Sequence, residues 1–206
     1  MNIIQRKLLA VLVLLLMAIG MNAENPKREF RGAWIQCVNG QYLGKTMSEI
    51  RQMLSSQLDV LQGAGINAIM FQVRAEGDAL YKSSIEPWSR YLTGRQGMAP
   101  QDGWDPLAWM VEECHKRCME CHAWINPYRA KTKTTKQLAS NHIAVRKPLS
   151  CFSYDDLFIL NPGMPENRDY ICEVAKDIVS RYDIDGIHMD DYFFPYPVKG
   201  ETIPDE

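Results

Sequence analysis

The sequence predicts an α/β fold of the (β/α)8-barrel type, with about the first four β/α units of such a barrel present. Three observations carry this. Strand-like and helix-like segments alternate, and every crossover is long enough to join parallel neighbours. The long connections follow strands while the returns from helix to strand are short, as in a barrel that keeps its functional loops at the C-terminal strand ends. Polar residues share one parity on all four strands.

The elements follow in order. Residues 31–37 form a short apolar run after a charged lead-in and read as a strand. A helix comes next, opened by a capping box of Thr46 and Glu49, with Met47, Ile50, Met53, Leu54, Leu58 and Leu61 at helical spacing and Gly63 and Gly65 at its end. Residues 67–74 are the second strand. A long loop carrying Tyr81, Pro87, Trp88, Gly94, Gly97 and Pro100 leads to Asp105-Pro106, a good N-cap and first helical position. Leu107, Met110, Val111, Cys114 and Cys118 give that helix its apolar face. Residues 120–126 are the third strand. A second long loop is expected over 127–165, basic around Lys131 to Lys136. A helix with Ile171, Val174, Ala175, Ile178 and Val179 on one face then returns the chain to a fourth strand at 184–190.

Composition narrows the class of function. The formal charge is −2 and no basic stripe is present, which argues against nucleic acid as the partner. Aromatics make up 10% of the chain and cluster in turn-rich segments, which favours a small-molecule or glycan cleft. Arg6 and Lys7 precede an apolar run from Leu8 to Ile19, with Ala23 beyond it. That run is short of the roughly 20 residues a spanning helix needs, so residues 1–23 read as a secretory signal peptide. Residues 24–206 are then one barrel-type domain, exported to the periplasm or the exterior, with no stable membrane anchor. A full barrel takes about 250 residues, so the expectation is a chain that stops before closure and leaves sheet edges open. The six cysteines allow disulfides whose connectivity cannot be read from sequence.

Side chains alternate faces along a strand, so the four strands can be compared by parity. One set is apolar: Ala33 and Ile35; Ile69, Phe71 and Val73; Ala123 and Ile125; Ile187 and Met189. The other is polar or aromatic: Trp34 and Gln36; Gln72 and Arg74; His122, Trp124 and Asn126; His188 and Asp190. Four strands presenting polar groups at one mouth point to a site. Asp190 ends the fourth strand, where barrel enzymes keep catalytic carboxylates, and Asp191 follows it on the opposite parity. The second carboxylate would be Asp78, Glu76 or Asp155 within the chain, or equally one on a later strand that this chain lacks. Trp34, Trp124, Tyr128 and Tyr192 offer faces to stack on sugar rings, with core packing as the alternative. Arg74 and Arg129 suit forked hydrogen bonding to a ligand, or an internal ion pair with Asp78 or Asp190. His122 and His188 would orient substrate or move protons, or be satisfied inside the barrel.

These residues lie in recognisable segments. Phe30-Arg-Gly-Ala-Trp34, Phe71-Gln-Val-Arg74, Gly77-Asp-Ala-Leu-Tyr81, Glu86-Pro-Trp-Ser-Arg-Tyr-Leu-Thr-Gly94, Asp105-Pro-Leu107, His122-Ala-Trp-Ile-Asn-Pro-Tyr-Arg129, Leu160-Asn-Pro-Gly163 and Asp185-Gly-Ile-His-Met-Asp-Asp-Tyr-Phe-Phe-Pro-Tyr-Pro197 resemble the glycosyl hydrolase-like family 10. The resemblance runs through nearly all of the chain beyond the leader. It implies a bacterial envelope glycosidase on a (β/α)8 barrel, acting on a polysaccharide such as the glycan strands of peptidoglycan. It places the catalytic carboxylate at Asp190 or Asp191, with Arg74, Asn126, Tyr128 and Arg129 lining the cleft. A non-catalytic glycan-binding or degenerate fragment of that family is the alternative. Cys118-Met-Glu-Cys121-His122 matches the spacing for covalent c-type haem, but it leads straight into a strand, and no metal or cofactor is expected.

Overall fold

A computed structural model describes residues 29–190, 193, 195–200 and 202. The expected signal peptide, Asp191 and Tyr192 lie outside the described residues. Among the described residues the elements run β1 (Gly32–Ile35), α1 (Met47–Gly63), β2 (Ala68–Arg74), α2 (Arg90–Thr93), α3 (Pro106–Lys116), β3 (Glu120–Ile125), β4 (Arg129–Lys131), α4 (Ile143–Arg146), β5 (Cys151–Tyr154), β6 (Leu157–Leu160), α5 (Pro165–Arg181) and β7 (Gly186–His188).

The strands β1, β2, β3 and β7 pair in that order, every pair parallel. This is the expected α/β architecture, four parallel strands with α1, α3 and α5 in the connections between successive strands. Sequence signals explain its helices. Thr46 accepts from the Glu49 backbone, and Glu49 accepts the Thr46 N–H at 2.7 Å, so the capping box opens α1. Ile50, Leu54 and Leu58 are its buried stripe. Asp105 accepts the Ala108 N–H and Pro106 takes the first position of α3. The apolar parity meets the helices: Ile35, Ile69, Phe71, Val73, Ala123 and Ile125 belong to one core with Leu107, Met110, Val174 and Ile178.

Two expectations change. The segment 127–165 is more than a loop: β4, β6 and β5 make a small antiparallel sheet in that order. Strands of three and four residues are too short for alternation to stand out, and the turn between β5 and β6 rests on Asp155 and Asp156 at positive φ, a conformation Asp tolerates. Cys118 is not on the apolar face of α3; the helix ends at Lys116, and Cys118 is exposed at φ 55°. All six cysteines are unpaired. With Cys118 exposed and Cys121 buried, the two thiols of the haem-like motif do not present to one surface.

The register of β2 on β3 carries one irregularity that matters for the site. Gln72 sits opposite Trp124, but Arg74 sits opposite Ile125, so β2 spends an extra residue between them. A bulge of this kind re-aims the side chains beyond it.

Candidate active site

At the C-terminal ends of the four parallel strands, polar side chains form a continuous relay. The Cys37 N–H just after β1 donates to Gln72 Oε1 at 3.0 Å. Gln72 Nε2 donates to Asn126 Oδ1 at 2.7 Å, and Asn126 Nδ2 donates to Asp190 Oδ2 at 2.7 Å. Gln72 and Asn126 are buried, whereas Asp190 is half-buried. The relay therefore runs from a protected interior to a carboxylate within reach of solvent. Burying polar groups without partners is costly, so Gln72 and Asn126 hold each other, and Asp190, in one arrangement.

Below it on the same face, Trp34 Nε1 donates to His188 Nε2 at 2.9 Å. The rings of Trp34 and Trp124 meet His188 edge-on from two sides, at 5.8 and 6.1 Å between centroids. Burial lowers the His188 pKa, and Nε2 accepts a hydrogen bond only without its proton, so His188 is the neutral ring between two indoles. Trp34 keeps an open face, 61% exposed, while Trp124 is half-buried with its indole nitrogen covered.

Several expected cleft residues are engaged elsewhere. Arg74 is fully buried; its Nε and Nη2 bond to Glu86 at 2.7–3.0 Å, and its Nη1 bonds to the carbonyls of Asn126 and Pro127. The bulge turns it off the inner face, and its partner is neither Asp78 nor Asp190. Asp78 is also fully buried, so it does not reach the mouth. It accepts from the Glu76 N–H at 3.3 Å and from Gln96 Nε2 at 3.4 Å. Burial, then the charge of Glu76, pushes its carboxyl up to about 7. Glu76 is fully buried against Arg90 at 2.5 Å and Thr135 at 2.8 Å. Asp155 pairs with Lys133 at 2.7 Å. His122 lies near the start of β3, bonded to Glu120 at 2.9 Å and packed so tightly over Gly186 that a β-carbon there would collide with its ring. It supports the sheet at the end away from Asp190.

Tyr128 is half-buried and packs on the core, and its carbonyl accepts from the Leu160 N–H. Arg129 begins β4, near enough to Cys37 for its charge to act on that thiol. The Cys37 thiol, 3.5 Å from Gln72 Oε1, is driven well above its ordinary value by burial and then by Asp78 and Glu76. It is no nucleophile at neutral pH. Glu86 went unrecognised in the sequence as the partner of Arg74, although its segment supplied a motif. Twelve residues separate the pair, and no local period links them.

The sequence profile of the family described as glycosyl hydrolase-like 10 matches residues 29–206. The chain belongs to that family. Its relatives include the glycosyl hydrolase YngK of Bacillus subtilis, 42% identical over 185 residues, and the glycosyl hydrolase DigH of Escherichia coli K12, 42% identical over 156. The matches cover 87% and 70% of this chain but 36% and 35% of those proteins, so the chain spans about a third of their length. Solved structures of similar shape include the maltogenic α-amylase AmyB of Thermotoga neapolitana, with TM-score 0.49 and 16% identity over 80% of this chain and 40% of that one.

Proposed function

We propose that this chain is the part of an exported glycoside hydrolase that carries Asp190 as the carboxylate acting at the scissile bond of a cell-envelope polysaccharide, the glycan strands of peptidoglycan being the substrate of choice. The observation that carries the reading is the relay ending on Asp190, with Asn126 Nδ2 at 2.7 Å. Rigid hydrogen-bonded support from neighbouring strands is what a group acting on a reacting atom requires. Family membership supports the reaction class, and the open indole face of Trp34 supports a sugar ring as the group it meets. The basic and apolar leader supports export to the periplasm or beyond.

The test is Asp190→Asn, assayed by release of new reducing ends from purified glycan strands. Loss of general acid, base or nucleophilic function costs at least about 100-fold. Unchanged turnover would remove Asp190 from the mechanism.

A second reading, glycan binding without turnover by this chain alone, rests on one observation. Hydrolysis uses two carboxyls flanking the bond, and among the described residues Glu76, Asp78 and Asp155 are each committed to other partners. It predicts that calorimetry detects glycan strands binding the wild-type chain with no reducing ends formed, and that Trp34→Ala abolishes the binding.

A further inference from the structure

The basic run in the connection after β3 finds a counterpart in the connection after β2. Between the two lies a cleft of about 900 Å³ lined by Arg90, Arg95, Gln96, Lys136, Gln137 and Asn141 among others, none of them acidic. It is built from the connections that leave β2 and β3 at their C-terminal ends, the strand ends at which the relay to Asp190 stands. Its floor is fixed. Gln96 is nearly buried, donates from Nε2 to Asp78 and accepts the Ala139 N–H at 2.9 Å. Arg90 is tied to Glu76 and also reaches the hydroxyls of Thr134 and Thr135. Glu76 takes the Thr135 hydroxyl, and the His142 ring bonds the Glu76 carbonyl at 2.9 Å. One buried cluster thus pins both loops and sets the width between them.

The charge balance of this cleft is uneven. Arg90 is neutralised by Glu76 from below, but Arg95 and Lys136 are exposed on its walls and make no ion pair among the described residues. Two uncompensated cations face one polar cleft in a chain whose formal charge is −2. A forked guanidinium with an ammonium opposite suits a carboxylate, and the amides of Gln137 and Asn141 offer the donors and acceptors that sugar hydroxyls require.

We propose that this cleft is an anion subsite that recognises a free carboxylate carried by a sugar residue of the glycan, with Arg95 and Lys136 as the recognising groups. The proposal rests on the glycan reading above and deepens it, since it assigns a charged rather than a neutral polymer to the same face.

The experiment compares two probes by calorimetry on the whole chain: glycan-strand oligosaccharides with free carboxyl groups, and the same oligosaccharides with those carboxyls reduced to alcohols. The wild type binds the carboxylate form about tenfold more tightly, a preference that shrinks as salt is raised. Arg95→Gln with Lys136→Gln brings the two probes within about twofold of each other and leaves the neutral one unchanged. Both side chains are exposed, and thermal melting of the double variant serves as the control for folding. Equal binding of the two probes by the wild type, or a preference that survives the double substitution, would overturn the subsite while leaving the glycan reading intact. Binding of neither probe would overturn the glycan reading and the subsite with it.

Discussion

An amide suits the middle of the relay because it offers an acceptor to one neighbour and a donor to the other. Asn126 takes a hydrogen from Gln72 and gives one to Asp190, which no carboxylate of the same shape could do. Among the candidate carboxylates, Asp190 is presented at the mouth, whereas Asp78 and Glu76 are enclosed. Asp78 shows what enclosure does. Its folded value, about 7, lies above the ordinary 3.8 because burial and then Glu76 disfavour its charge. Between those values the folded chain holds a proton that the unfolded chain has released, so stability from this group falls as pH rises from about 4 to 7. Asp78→Asn cannot ionise and removes that dependence. Urea midpoints of the variant, taken relative to wild type, should therefore improve steadily from about pH 4.5 to 7.5. His142, lowered by burial, works in the opposite sense as pH drops below its ordinary 6.5, but it is common to both proteins and cancels. A difference between them that stays flat with pH would show that Asp78 ionises normally.

At the scale of elements, Asp105 is the residue whose work extends furthest from its own helix. It caps α3 through the Ala108 N–H at 3.2 Å, accepts the Lys82 N–H from the loop after β2 at 3.1 Å, and accepts the Tyr182 hydroxyl just beyond α5 at 2.8 Å. Asp105→Ala should cost roughly 3 kcal/mol in urea denaturation, a cap plus two tertiary bonds, against about 1 kcal/mol for Tyr182→Phe, which removes one of those bonds. Equal losses would mean that neither the cap nor the Lys82 bond contributes. The cap was legible in the sequence, as were the Thr46 box, the alternation of units and the face on which Gln72, Asn126 and Asp190 stand together, because each is written within a few residues at a fixed period. The bulge after Gln72 was not legible. It depends on pairing with β3, some fifty residues away, and it is what takes Arg74 out of the cleft. The small sheet of β4, β5 and β6 was hidden by strand length, and the Arg95–Lys136 cleft by distance, since its two walls come from different loops.

For the whole molecule, the decisive contact is the one that joins parts distant in sequence without touching solvent. Arg74 at the end of β2 and Glu86 in the following loop are both fully buried, and the Tyr170 hydroxyl of α5 donates to the same carboxylate at 2.9 Å. Arg74 also bonds the carbonyls of Asn126 and Pro127 where the chain leaves β3. A single ion pair thus fixes β2, the exit of β3 and α5, and with them the Asn126 side chain that holds Asp190. Burial alone would pull the arginine's pKa down, but the charge and hydrogen bonds of Glu86 raise it overall, so the cation depends on that one anion. Replacing a buried pair outright can be neutral, whereas removing one partner strands the other charge. Glu86→Gln should therefore cost about 3–5 kcal/mol, against about 1 kcal/mol for Tyr170→Phe, which removes one neutral donor. Urea denaturation measures both. Because the strand ends lose their anchor, the proposed function predicts that Glu86→Gln also slows release of reducing ends from glycan strands under conditions where the protein remains folded, although Glu86 touches no part of the mouth. A cost below about 1 kcal/mol would mean that Arg74 finds another anion, and the ion pair would no longer be what ties α5 to the relay.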